Sequence, residues 1–129
     1  MNIQLLSPSF AVCRLRALPR EVRQWHFLSV TDEEISLVCP ERDAPADAEH
    51  IDRGWRAFRV AGPLDFSLIG ILADLSTALA AAGVGIFAVS TYDTDYLLVK
   101  ETQLARAEEA LTRAGHTVQM SESGAARRE

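Results

Sequence analysis

The sharpest hydrophobic patterning lies in the second half of the chain. Trp55-Arg56-Ala57-Phe58-Arg59-Val60 alternates large apolar with polar or small residues, which predicts a half-buried strand ended by Gly62-Pro63. Ser67 can cap a helix by accepting from an early backbone N–H. Beyond it, Leu68, Ile71, Leu72, Leu75, Leu79 and Ala82 fall on one helical stripe, and Gly83 suits a left-handed C-terminal cap. Ile86 to Thr91 reads as a strand, Tyr92-Asp93-Thr94-Asp95 as a turn, and Tyr96 to Lys100 as the returning strand of a hairpin. A second helix carries Leu104, Ala107, Leu111 and Ala114 on its stripe, with Glu109 four positions before Arg113. Gly115 closes it, and His116-Thr117-Val118-Gln119 supplies a last edge strand.

The order β-α-β-β-α-β predicts an α+β, ferredoxin-like fold: an antiparallel sheet with both helices on one face. The first half reads as a degenerate copy. Phe10 to Leu15 is a strand, Leu18 to Trp25 a short helix with Pro19 in its first turn, and Phe27–Thr31 with Ile35–Cys39 a hairpin around Asp32-Glu33-Glu34. Phe27-Leu28-Ser29-Val30 and Leu37-Val38-Cys39-Pro40-Glu41 echo Phe87-Ala88-Val89-Ser90 and Leu97-Leu98-Val99-Lys100-Glu101, a weak internal repeat. Pro40 to Gly54 is charged and rich in Pro and Ala, hence a loop with at most one helical turn. The expected division is 1–53 for the degenerate N-terminal subdomain with its linker, 54–120 for the complete unit, and 121–129 for a disordered tail.

Composition narrows the class. With 129 residues, 48% of them hydrophobic, the chain can close a core. A net charge of -5 argues against a phosphate-backbone binder, and the strands carry Val, Leu, Ile and Ala where an RNA-recognition sheet needs basic and aromatic residues. No apolar run is long enough to span a bilayer, and Met1-Asn2-Ile3-Gln4 does not open a signal peptide, so a cytoplasmic location is expected. Cys13 and Cys39 do not make a disulfide framework, and with His26, His50 and His116 they show no metal-ligand spacing. No phosphate loop, dinucleotide fingerprint or nucleophile elbow is present, so neither cofactor nor catalysis is expected.

Two places could carry chemistry. The loop Gly62 to Ser67 stands before a helix, where unpaired N–H groups and the helix dipole suit an anion such as a carboxylate, and Gly70 removes bulk beside it. The turn Ser90 to Asp95 gathers two hydroxyls, a phenol and two carboxylates at the end of an apolar strand. Each has a plainer explanation: Asp65 and Ser67 capping a helix, and a hairpin turn whose Asp and Thr side chains satisfy their own backbone.

The run Gly62 to Ala73, followed by Ala81 to Lys100, resembles small stand-alone ACT-domain proteins, which are similar to the regulatory regions of aspartate kinases and to animal cytosolic arginine sensors. The resemblance extends more loosely to Phe10–Leu15 and Ser29-Val30-Thr31. It implies a tandem ACT arrangement with a degenerate first half, side-by-side pairing as a homodimer, and binding of a small molecule, an amino acid above all. It places the ligand against Leu64, Asp65, Ser67, Leu68 and Gly70 and against Ser90, Thr91, Tyr92 and Asp93. No kinase or other catalytic domain is read here, so a non-catalytic regulator is expected. The alternative is an interaction module that dimerises through its sheets around a vestigial ligand site. An enzyme on the same scaffold would need a nucleophile-base pair or metal set, which the sequence does not offer.

Overall fold

The computed structural model describes residues 2–60 and 70–120. Its strands are β1 (Asn2–Leu15), β2 (Phe27–Val30), β3 (Ile35–Pro40), β4 (His50–Val60), β5 (Phe87–Ser90), β6 (Asp95–Lys100) and β7 (Thr117–Met120). Its helices are α1 (Ile71–Ala81) and α2 (Leu104–Arg113), and single 3-10 turns follow β3 at Glu41–Asp43 and β6 at Glu101–Gln103. The chain forms two units. One contains Pro8–Trp55; the other combines Met1–Ser7 with Arg56–Glu129. The long strands β1 and β4 each give one part to either unit.

In the helix-bearing unit the strand order is β7-β1-β4-β6-β5. Ile3 and Leu5 of β1, Phe58 and Val60 of β4, and Leu97 and Val99 of β6 alternate onto one face. Leu75 and Leu79 of α1 and Ala107 and Leu111 of α2 close over that face, so both helices share one core. Spacing of three and four residues puts each helical pair on a single stripe, as the sequence pattern requires. Hairpin β5–β6 pairs Phe87 with Leu98 and Ser90 with Asp95, antiparallel. Gly115, at φ 99°, turns the chain out of α2 in the left-handed conformation that a side chain disfavours.

The last strand departs from the simple ferredoxin-like order. β7 runs parallel to β1, pairing Asn2 with Thr117 and Leu5 with Met120. The first residues of the chain thus lie between β7 and β4. The 53/54 division would have left Met1–Ser7 with the N-terminal subdomain, but these residues fold with the helices. Burial supplies the reason: Ile3 is 1% and Leu5 4% exposed, inside the helix-covered core.

In the other unit the order is β2-β3-β1-β4. β1 pairs Phe10 with Pro40 and Leu15 with Ile35, and β2 pairs Phe27 with Val38 and Val30 with Ile35, both antiparallel. Ala11, Cys13, Leu15, Leu37 and Cys39 form its core, flanked by Ile35, Ala44, Ala48 and Ile51. The helix expected over Leu18–Trp25 is absent: these residues form bends and a turn. Leu18 and Val22 stay exposed, so the apolar positions at helical spacing bury nothing that would favour helix over loop. Trp25 instead enters at φ 64° and packs on Phe10, ring centroids 6.3 Å apart. Two strands also exceed expectation. β1 begins at Asn2, and β4 begins at His50 inside the segment read as loop.

Candidate functional site

The expected ligand site has two halves, of which one is described. Leu64, Asp65, Ser67 and Leu68 lie outside the described residues, as do Gly62 and Pro63 and the tail 121–129. Gly70 is described. It is the N-cap of α1 at φ 88°, and its carbonyl accepts from Asp74 N–H at 2.8 Å. Among the described residues a Cβ on Gly70 would meet nothing within 4 Å, and the left-handed backbone by itself favours glycine there.

The other half is the tip of hairpin β5–β6. Thr91 N–H donates to the Thr94 carbonyl at 2.8 Å and its Oγ1 donates to the same oxygen at 3.1 Å. Ser90 Oγ donates to Asp95 Oδ1 at 2.6 Å across the last pair of the ladder. These bonds make Ser90, Thr91 and Asp95 parts of a self-satisfied turn. Tyr92 and Asp93 are different. Tyr92 is 85% exposed, and Asp93 is exposed without a hydrogen bond or ion pair among the described residues. One carboxylate and one phenol therefore stand exposed on a hydrogen-bonded turn.

The same turn occurs in the other unit. Thr31 N–H donates to the Glu34 carbonyl at 3.0 Å and Thr31 Oγ1 to the same oxygen at 3.2 Å. Thr31 Oγ1 also accepts from Glu33 and Glu34 N–H. Phe27 stands to Phe87 as Val30 to Ser90, Ile35 to Asp95 and Pro40 to Lys100, at one constant sequence offset. A 3-10 turn follows at the same place in each copy. The weak repeat in the sequence is thus a close repeat in the backbone.

A cavity of about 500 Å³ opens in the N-terminal unit. Sequence reasoning did not find it, because its walls come from residues 15–26 and 37–48, segments read as a helix, a hairpin and a featureless loop. His26 and Asp43 meet there: Nε2 lies 2.8 Å from Asp43 Oδ2, and both side chains are almost wholly buried. A carboxylate accepts only, so Nε2 carries the proton and donates. Arg23 reaches Asp43 at 3.5 Å and also pairs with Glu21.

Cys13 and Cys39 are free thiols in the core of the same unit. Cys39 faces Ala11, and Cys13 faces Leu37, which makes the cysteines diagonal neighbours on one sheet face. Burial raises both thiols; for Cys39, burial, then Cys13 and Asp43 beside it, push the value up to about 12. A thiol held neutral is a poor nucleophile and a poor metal ligand. Among the described residues no group of three or more His, Cys, Asp or Glu side chains is placed to hold a metal ion. Among them, too, no helix is long and apolar enough to cross a membrane.

A β-α-β-β-α-β run with both helices on one sheet face defines a ferredoxin-like domain. Residues 50–113 match the ACT domain family model. A solved structure of a protein from Agrobacterium tumefaciens is 32% identical and superposes with TM-score 0.84 over 94% of this chain and 93% of that one. The chain belongs to the ACT-domain family. The human cytosolic arginine sensor for mTORC1 subunit 1 is 38% identical over 60 residues, 46% of this chain and 18% of the sensor. The chain thus spans less than a fifth of the length of that relative. Clostridium acetobutylicum aspartate kinase has the same fold, with TM-score 0.65 at 16% identity over 87% of this chain and 33% of the kinase.

Proposed function

We propose that this chain is a non-catalytic regulatory protein that binds a small molecule, an amino acid first among candidates, at the tip of hairpin β5–β6. The observation that carries the reading is the turn in an ACT-family context: Asp93, exposed and unpaired among the described residues, beside Tyr92 on a turn locked by Thr91. A carboxylate on a rigid support suits the ammonium or guanidinium of an amino acid, because little ordering entropy is lost on binding. Kinship with a cytosolic arginine sensor supports the same class of ligand and a cytoplasmic setting. In this reading the site runs from Leu64, Asp65, Ser67, Leu68 and Gly70 to Ser90, Thr91, Tyr92 and Asp93, and a second copy of the chain completes it in a homodimer. The N-terminal unit is then a degenerate ACT-like half, a view that the matched hairpins support.

Thermal-shift screening against the twenty amino acids tests this function. A ligand that binds only the native state raises the midpoint, and Asp93→Ala is expected to abolish the shift with the folded protein intact. No shift with any amino acid at millimolar concentration removes the amino-acid reading.

A second reading is favoured by the self-satisfied bonds of Ser90 and Thr91. It makes the turn purely structural and the protein a pairing module. Light scattering that shows a dimer, unchanged by Asp93→Ala and indifferent to amino acids, would favour it.

A further inference from the structure

We propose that the cavity of the N-terminal unit is a second ligand site, separate from the β5–β6 turn, and that it takes a small organic dianion such as a dicarboxylate. Three observations converge. The first is where the cavity comes from. In the helix-bearing unit the first strand leads into a segment containing α1 and the hairpin into α2, and both helices cover the sheet. In the N-terminal unit, residues 16–26 and 41–49 replace those connections without an α-helix. The sheet face around Leu15 and Leu37 is left to line a space of about 500 Å³, a usual size for small-molecule sites.

The second observation is the charge distribution. Arg23 is committed to Glu21 and Asp43. Of the lining carboxylates, Glu21 is paired with Arg23, Asp43 with Arg23 and His26, and Asp47 with nothing among the described residues. Arg16 and Arg20 line the same cavity, have no ion pair among the described residues either, and outnumber Asp47 two to one. Two guanidinium groups that line one cavity, without an ion pair among the described residues, suit two carboxylates, each received through paired N–H donors.

The third is His26. Its side chain is 5% exposed, its Nε2 donates to Asp43, and its Nδ1 is a buried acceptor with no partner among the described residues, so the ring serves as a fixed wall and not as a donor to the anion. Buried polar atoms are rarely left unpaired, and those that are concentrate where a structure serves another purpose. The Asp43 bond fixes the ring, so the wall of the cavity is ordered before any ligand enters. That lowers the entropy lost on binding.

Titration of the purified protein with succinate, followed by calorimetry and by amide chemical shifts, tests the site. Succinate is expected to bind and to move amide signals within residues 15–26 and 37–48, while neutral 1,4-butanediol does not. Arg16→Gln with Arg20→Gln is expected to weaken succinate at least tenfold. Both side chains are exposed, so the double variant should keep the wild-type unfolding midpoint, which is measured alongside. Asp93→Ala should leave succinate binding unchanged, which separates this site from the one on the β5–β6 turn. The proposal fails if succinate does not bind at millimolar concentration. It fails equally if the arginine pair can be replaced without effect, or if Asp93→Ala abolishes binding.

Discussion

The two hairpins of this chain have the same backbone and different surroundings. β2–β3 and β5–β6 share pairing register, a Thr-closed turn and a 3-10 turn after the second strand. Beyond them the units diverge. The β5–β6 hairpin belongs to a sheet whose core is closed by Leu75, Leu79, Ala107 and Leu111 from two helices. The β2–β3 hairpin belongs to a sheet that buries Ala11, Cys13, Leu15, Leu37 and Cys39 in one cluster, and Phe10, Trp25 and Val38 besides, without an α-helix to cover it. A hairpin is specified locally by its turn and cross-strand pairs, so it can form with or without helices over its sheet. Where no helix covers the sheet, a cavity with charged residues in its walls opens.

The largest expected effect tests where the stability resides. Phe58 is fully buried beneath both helices, so Phe58→Ala should cost about 3–5 kcal/mol in urea unfolding, by lost transfer energy and the cavity left behind. Leu37→Ala, beside an existing cavity, should fall at the low end of the roughly 2–5 kcal/mol range for its type. Equal losses at the two positions would break the contrast between a closed and an open core.

The next effect separates the units by pH. The Cys39 thiol is raised to about 12 in the folded protein from an ordinary value of 9.0. The folded state therefore keeps its proton where the unfolded state releases it. Stability from this group is full below pH 9 and declines as pH rises from 9 towards 12. Cys39→Ala should flatten that part of the stability profile relative to the wild type, whereas Leu79→Ala in the other core should lower the whole profile without changing its slope.

A smaller effect is local to the helix-bearing unit. Gly115 holds φ 99° at the end of α2, and Gly115→Ala should cost about 1–2 kcal/mol through backbone strain alone, since no neighbour lies within 4 Å of the added carbon. The smallest effects compare the turns directly. Thr91→Ala removes one side-chain bond, to the Thr94 carbonyl, and should cost about 0.5–1.5 kcal/mol. Thr31→Ala removes the matching bond and the acceptor for Glu33 and Glu34 N–H, so it should cost more than its counterpart. The reverse order would show that the turns are alike in geometry and not in energy.

Much of this architecture was legible in the residues. The stripes Leu75, Leu79 and Ala107, Leu111 announced two amphipathic helices, and the alternation through Phe58 and Val60 announced a strand with one buried face. These patterns have the period of the element that they build, and burial acts on them directly. The misreadings fall where local pattern and long-range pairing disagree. Leu18 to Trp25 carries apolar residues at helical spacing, yet Leu18 and Val22 find nothing to cover them and the segment stays a loop. Asn2 to Ser9 and His50 to Gly54 are strand because a neighbouring strand takes up their backbone groups.

The candidate sites divide in the same way. Ser90, Thr91, Tyr92 and Asp93 could be named from composition, because a polar turn after an apolar strand is a local signal. The His26–Asp43 contact could not, since the two residues lie on either side of a hairpin and meet only when β2 pairs with β3. The sequence by itself determined the periodicities, the two hairpins and the residues at their tips, all of which depend on neighbours within a few positions. The tertiary structure alone decided that Asn2–Ser7 join the helix-bearing unit, that β7 runs parallel to β1, and that residues 15–26 and 37–48 enclose a cavity lined by charged residues of both signs. Those outcomes rest on contacts between residues far apart in the chain, where burial and hydrogen-bond pairing outweigh local preference.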